Sequence, residues 1–261
     1  MHTPFKEVSE INTGEERKLS EKEKRIIRGK VGELLWISLI TRPDLSFDVN
    51  YVSSRISDGF TSLVKSINLL VKRAKASRNV LRYTRLGDLS ELTVKAFADA
   101  SFCNSEDKTR STEGRVILLS NEKTGRVNVC SWKTKKIARV CRSVKAAETR
   151  SLEEAIDDAV NVARILKEIY LGKVDLKDPK QIPVKAFTDS KSLWENLHNT
   201  RQCEEKILRC SIAAMKKFMD QGIITDVHWV PTEKQLADCL TKAGKRADWL
   251  LKVASINRLE I

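Results

Sequence analysis

Two short stretches end an apolar run in an aspartate followed by small or polar residues. They are Phe97-Ala98-Asp99-Ala100-Ser101 and Phe187-Thr188-Asp189-Ser190. A chain that turns away after such a residue leaves the carboxylate exposed at the carboxyl end of a strand, where open α/β sheets build their sites. A third acid, Glu148, lies in Ala146-Ala147-Glu148-Thr149, near the start of a long helical pattern. A fourth, Asp238, follows Val230-Pro231-Thr232-Glu233-Lys234-Gln235-Leu236-Ala237. Taken singly, each strand-end aspartate reads first as a helix or turn cap, Glu148 as a common helix-start acid and Asp238 as a solvated helix residue. Taken together, carboxylates from strand ends and helix starts could hold two hard divalent cations about 4 Å apart. Such a pair suits phosphodiester hydrolysis.

These acids need a sheet and a helix to bring them together. Thr93–Ala98, Gly114–Leu119, Val127–Trp132, Pro183–Thr188 and Ile223–Val230 read as five strands. In Ala146–Tyr170 an apolar stripe recurs at helical spacing through Leu152, Ala155, Ile156, Ala159, Val162, Ala163, Leu166 and Ile169. Shorter helices are expected at Ser190–His198, Glu204–Gln221 and Glu233–Thr241. This order implies an α/β fold with a central mixed sheet and flanking helices. Before it, residues 21–90 read as a small helical region, with a first helix broken at Thr41-Arg42-Pro43-Asp44 and another over Ser62–Tyr83. One face of the latter carries Lys65, Lys72, Arg73, Lys75 and Arg78, as a phosphate track or a solvated face. Residues 1–20 read as a flexible leader and 245–261 as a tail.

Composition narrows the class. The 261 residues are 41% hydrophobic and 32% charged, which supports a folded core and a well-solvated surface. Lys and Arg total 48 against 35 Asp and Glu, and the net charge of +13 favours a polyanionic partner, nucleic acid first. The six cysteines form no C-x-x-C pair, so zinc is not expected and reduced thiols in an intracellular protein are. No apolar run has the length of a membrane span, and no membrane partner is expected. Lys133, Lys135, Lys136, Arg139 and Arg142 follow the third strand and are the candidate phosphate contacts, with Ser190 beside Asp189 as a further nucleic-acid contact.

The chain resembles the C-terminal part of the Pol polyprotein of copia-type LTR retrotransposons, from about Arg28 to Gly244. Gly29 to Trp36 and Thr41-Arg42-Pro43-Asp44-Leu45-Ser46-Phe47-Asp48-Val49-Asn50 are similar to motifs in the thumb-like helices that end the reverse transcriptase region. Ala74 to Tyr83 is similar to the helix that follows them there, and Val80-Leu81-Arg82-Tyr83 carries the match. The nuclease half is similar in order: Ala98-Asp99-Ala100-Ser101, Arg110-Ser111-Thr112-Glu113-Gly114, Ser131-Trp132-Lys133-Thr134-Lys135-Lys136, Ala147 to Ala155, Thr188-Asp189-Ser190-Lys191-Ser192, and Val230 to Lys242. The resemblance implies a ribonuclease H-like fold, a five-stranded mixed sheet flanked by helices over 91–244, that cuts the RNA strand of an RNA–DNA hybrid with two Mg²⁺ ions, Mn²⁺ being the alternative. Asp99, Glu148, Asp189 and Asp238 take the positions of its metal-binding, catalytic acids. It further implies, as a partner, the polymerase part of the same polyprotein, and as location a cytoplasmic particle or the nucleus.

Three departures qualify the resemblance. The Tyr-x-Asp-Asp motif of a polymerase palm is missing, and Ile156-Asp157-Asp158 lies inside the long helix, so no polymerase activity is expected. No histidine stands between Trp229 and Asp238, and His228 reads as structural. Ser190 and Lys191 replace the usual Asn and Gln after the third acid. The rival readings are a hybrid-binding module that no longer cuts, an integrase or resolvase of similar fold, and an inert fragment of a polyprotein.

Overall fold

The computed structural model describes residues 6–76, 81–104, 109–172, 182–200, 203–244 and 247–260. It divides into two compact units, Met1–Val80 and Leu81–Ile261.

In the first unit, helices α1 (Glu21–Ile40), α2 (Ser46–Ser53) and α3 (Ser62–Ala76) close around Ile27, Val31, Leu34, Leu45, Val49, Ile67 and Val71. Ser20 opens α1 through a capping box with Glu23, each side chain bonding the other's backbone amide. The Thr41-Arg42-Pro43-Asp44 break has a packing role. Arg42 is buried, chelates Asp44 and donates to the carbonyl of Ala74 at 2.8 Å, which fastens the end of α3 to this turn. The segment read as a flexible leader contributes to the same core. Val8, Ile11 and Leu19 are buried in it, and Asn68 bonds both backbone groups of Val8. On the basic face of α3, Arg73 pairs with Asp48 and Lys72 with Glu7. Arg78, and residues 77–80 of the expected helix over Ser62–Tyr83, lie outside the described residues.

The second unit is built on a five-stranded sheet. Strands β1 (Leu92–Ser101), β2 (Thr112–Asn121) and β3 (Arg126–Lys136) form an antiparallel meander. Helix α4 (Val144–Leu171) then crosses to β4 (Val184–Thr188), which lies parallel to β1. Helices α5 (Lys191–His198) and α6 (Arg209–Asp220) lead to β5 (Asp226–Trp229), parallel to β4, and α7 (Asp248–Ile256) follows. The strand order is β3-β2-β1-β4-β5. The mixed sheet and its helices match the architecture expected from the sequence.

Alternation along β1 explains the two cores. Val94, Ala96, Ala98 and Ala100 join Leu152, Ala155, Ile156 and Ala159 of α4 in one cluster. Phe97 belongs to another, with Phe187, Val230, Leu236, Leu240 and Val253. Phe97 and Phe187 stack with ring centroids 4.5 Å apart, pinning the two strands that end in Asp99 and Asp189.

The edges of this unit differ from expectation. Residues 81–90 go with the sheet: Leu86 is buried under it, and Thr84 exchanges hydrogen bonds with Asn128 at 2.9 Å in each direction. The stretch read as a tail holds α7, whose Leu250, Val253 and Ala254 are buried. Asn257 ends α7 in a left-handed conformation, and its amide donates to the carbonyls of Arg82 and Val127. The helix expected over Glu233–Thr241 is instead two single 3-10 turns, Thr232–Lys234 and Asp238–Leu240.

Candidate metal centre

Asp99 lies near the carboxyl end of β1 and is 1% exposed. Its partner across the β1–β2 ladder is Gly114. A Cβ at Gly114 would stand 2.7 Å from Thr241 Cγ2 and 2.8 Å from Leu240 Cβ, so only glycine lets the 237–241 turn settle on β2 here. Thr134 of β3 holds the same turn through the Leu240 carbonyl at 2.9 Å. Gln235 ties it to β1 by donating to the Ala98 carbonyl at 2.9 Å. These contacts bring Asp238, Thr241 and Lys242 to Asp99.

Glu148 arrives from the other side. Ser143 caps α4 by accepting from the Ala146 amide, which sets Glu148 in the second turn of the helix. Ser151, one turn further on, donates to the Asp99 carbonyl at 2.7 Å and clamps α4 to β1. Asp189 follows directly after β4. Its Oδ2 accepts from Thr232 Oγ1 at 2.9 Å and its carbonyl from Trp229 Nε1 at 3.1 Å.

Asp99, Glu148 and Asp189 converge: one carboxylate oxygen from each lies within 4.8 Å of the others. Asp238 stands beside this trio and is joined to it through a cation. Lys242 Nζ bonds Asp238 Oδ1 and lies 3.6 Å from Asp99 Oδ1, while Thr241 Oγ1 donates to Asp99 Oδ2. Burial, with Asp189 and Asp238 nearby, pushes Asp99 up to about 7 against the pull of Lys242 and Thr241. Burial and the neighbouring Asp99 and Asp189 push Glu148 up to about 9. Among the described residues, the buried Glu148 Oε2 has no hydrogen-bond partner. A buried carboxylate oxygen without a donor is costly unless a proton or a cation meets it. Hard oxygen ligands of this kind fit a divalent ion of the Mg²⁺, Mn²⁺ or Ca²⁺ type.

Lys242 is the site residue that sequence reading missed. Its spacing of four from Asp238 was visible, but its contact with Asp99 depends on the 237–241 turn seating on Gly114. Burial works against its charge, yet Asp99, Asp238 and Asp189 outweigh that and raise its pKa.

The candidate nucleic-acid contacts differ in exposure. Lys133, Lys135, Arg139 and Arg142 are exposed; Lys136 and Ser190 are half-buried. Lys135 lies 3.8 Å from Glu113 and 3.9 Å from Glu154, within a charge network centred on Arg115. Asp158, from the triplet that departs from the polymerase motif, is part of that network and binds Arg115 Nε at 2.5 Å. His228 stacks on Phe187 with centroids 5.2 Å apart, and burial lowers its pKa.

Three antiparallel strands, a long crossover helix, two parallel strands and acids gathered at the ends of β1 and β4 decide the architecture. The fold is ribonuclease H-like. No family model matches the chain. It is 26% identical over 131 residues to Secreted RxLR effector protein 161 of Plasmopara viticola, covering 50% of this chain and 86% of that protein. It is 31% identical over 133 residues to an uncharacterized mitochondrial protein of Arabidopsis thaliana, covering 48% of each, so it spans about half that relative's length. Among solved structures it is similar to the N-terminal RNase H domain of a Mycobacterium tuberculosis protein (17% identity, 63% of this chain and 97% of that one, TM-score 0.39). RNase H1 of Halobacterium salinarum gives 16%, 57%, 94% and 0.41 for the same quantities. At these scores the overlays add nothing to the strand order. Among the described residues, no helix is long and apolar enough to cross a membrane.

Proposed function

We propose that the second unit is a retroelement ribonuclease H that hydrolyses the RNA strand of RNA–DNA hybrids with two divalent ions, Mg²⁺ in the first place, from the copia-type Pol lineage that the sequence motifs resemble. The observation that supports it most is the convergence of Asp99, Glu148 and Asp189 around a buried, partnerless Glu148 oxygen, with Asp238 alongside. In this reading Asp99 would contribute to both ion positions, Glu148 and Asp189 would help hold one ion, and Asp238 would help hold the other. When bound, such ions supply an activated water and neutralise charge on the leaving oxygen.

The protein's own groups do the positioning. Thr232 fixes the Asp189 carboxylate, and Thr241 fixes that of Asp99. The Ser151 clamp holds the Glu148 helix at the end of β1. Rigid support of this kind is what a metal centre needs to keep its ligands in register. Arg139, Arg142, Lys133, Lys136 and Ser190 are the proposed contacts to the hybrid, with Lys135 more closely tied to its acidic neighbours. The helices of the first unit are proposed to be the remnant of the thumb-like region, and the polymerase part of the same polyprotein the partner.

The test is cleavage of an end-labelled RNA–DNA hybrid with Mg²⁺ by the wild type and by Asp99→Asn. The expected result is cutting of the RNA strand alone by the wild type and none by the variant. Hybrid binding without cutting by both proteins would overturn the reading in favour of a binding module.

A further inference from the structure

The acid cluster has two unequal sides. Toward α4, Glu148 Oε2 is buried and has no donor among the described residues. Toward the 237–241 turn, every oxygen named so far already faces a donor or a cation. Asp99 Oδ2 accepts from Thr241, and Asp99 Oδ1 and Asp238 Oδ1 both face the Lys242 ammonium. A lysine ammonium is a compact point charge on a stem of four carbons, so it can withdraw without moving the backbone. The Lys242 side chain is 35% exposed, which leaves its head a route to solvent, whereas Asp99 and Asp238 are held in place beneath it.

We propose that Lys242 is a resident cation on the Asp99–Asp238 side, so that the two divalent-ion positions are inequivalent. An ion among Asp99, Glu148 and Asp189 binds without disturbing it, whereas an ion held by Asp99 and Asp238 must displace its side chain.

The proposal rests on the two-ion reading above and adds a positioning residue to it. Without metal, the ammonium offsets part of the repulsion among four clustered acids and keeps Asp238 turned toward Asp99. With the second ion in place, a dication and the ammonium against the same Asp99 and Asp238 oxygens repel each other at close range, so Lys242 leaves the cluster. The freed ammonium stands at the mouth of the site, where an incoming phosphate is the nearest anion for it. The second ion and the polyanionic substrate therefore favour the same position of Lys242, and each should strengthen binding of the other.

The experiment is calorimetric titration of the full chain with Mn²⁺ alone, no nucleic acid present, comparing wild type, Lys242→Met and Lys242→Arg. The wild type is expected to show one tighter and one weaker binding event. Lys242→Met should tighten the weaker event by about tenfold, roughly 1.4 kcal/mol, and leave the tighter one within twofold. Lys242→Arg, which keeps the charge, should stay close to the wild type. In thermal melts without metal, Lys242→Met should unfold at a lower temperature than the wild type, and Mn²⁺ should close the gap. Two events unchanged in Lys242→Met would overturn this proposal and leave the two-ion reading standing. A single event in both proteins, or no Mn²⁺ binding at all, would overturn the two-ion reading and this proposal with it.

Discussion

The second unit buries two clusters of charge, and their contrast separates structure from chemistry. In one, Arg115 is 3% exposed and meets Glu113 at 3.0 Å, Glu154 at 3.4 Å and Asp158 at 2.5 Å, with Lys135 at the margin. In the other, Lys242 bonds Asp238 and faces Asp99, and Glu148 Oε2 has no hydrogen-bond partner among the described residues. Both sit on the same sheet and contain buried carboxylates raised by desolvation, Glu113 in the first and Asp99 and Glu148 in the second. What differs is compensation. The Arg115 cluster has a rigid, five-donor cation at its centre and is complete as it stands. The Asp99 cluster holds a buried Glu148 oxygen with no donor among the described residues, which marks it as a place for something that comes and goes.

Substitutions should therefore act in opposite directions in the two clusters. Glu148→Gln removes a proposed metal ligand but also a buried carboxyl that, without metal, must hold a proton against its ordinary pKa. Cleavage is expected to fall by about a thousandfold or more, in the range lost when a central catalytic group is removed, while metal-free stability holds or rises. Arg115→Met should do the reverse, costing about 3–5 kcal/mol because it strands the buried Glu113 while leaving the ligands in place. Urea denaturation of each variant together with its rate on a labelled hybrid reads both quantities. A stability loss in Glu148→Gln as large as that in Arg115→Met would erase the distinction.

Gly114 sharpens the comparison because it belongs to the backbone of the acid cluster and carries no charge. Gly114→Ala forces Thr241 and Leu240 away from β2 and carries Asp238 and Lys242 with them. Overpacking of this type costs about 1–3 kcal/mol. Cleavage should drop by about a hundredfold, as expected when ligands are misplaced by about 1 Å. A fully active Gly114→Ala would show that the turn does not set the site.

What the sequence made legible follows from range. The four acids stood out because strand-end and helix-start patterns are local, and the order of strands and the long helix was readable from periodicity. Lys242, Thr232 and Thr241 gain their roles only when a turn near residue 238 lands on a strand near residue 114. Arg115 reads as one polar residue in an apolar strand until Glu154 and Asp158, one helical turn apart on α4, are placed over it. The first 20 residues looked loose because Val8, Ile11 and Leu19 are sparse, yet each finds a cavity in the helical unit. Helix α7 was hidden by its length of nine residues.

The clusters should also titrate differently. Asp99 and Glu148 keep protons in the folded protein up to about 7 and about 9, whereas unfolded carboxylates lose them near 4. The folded state therefore binds more protons between those limits, and without metal its stability falls as pH rises from about 4 toward 9. Denaturation midpoints measured across this range, wild type minus Glu148→Gln, isolate the effect. The difference should grow in the variant's favour with pH and shrink when Mg²⁺ is present. A flat difference would mean that Glu148 is already ionised and compensated in the folded protein.

The smallest effect concerns Lys135, which belongs by sequence to the basic run after β3 and by structure to the Arg115 cluster. A cation already facing Glu113 and Glu154 releases few counterions when a phosphate approaches, because part of its charge is spent on its neighbours. Arg139 and Arg142 are exposed and lie outside that network. Each phosphate contact contributes about 0.9 to the slope of log affinity against log salt. Arg139→Ala and Arg142→Ala should each lower the slope for hybrid binding by about that amount, whereas Lys135→Ala should lower it by much less and destabilise the fold slightly instead. Fluorescence anisotropy on a labelled hybrid from low to moderate salt resolves this. Equal slope losses for all three would mean that the whole run tracks phosphate and that Lys135 leaves its acidic partners to do so.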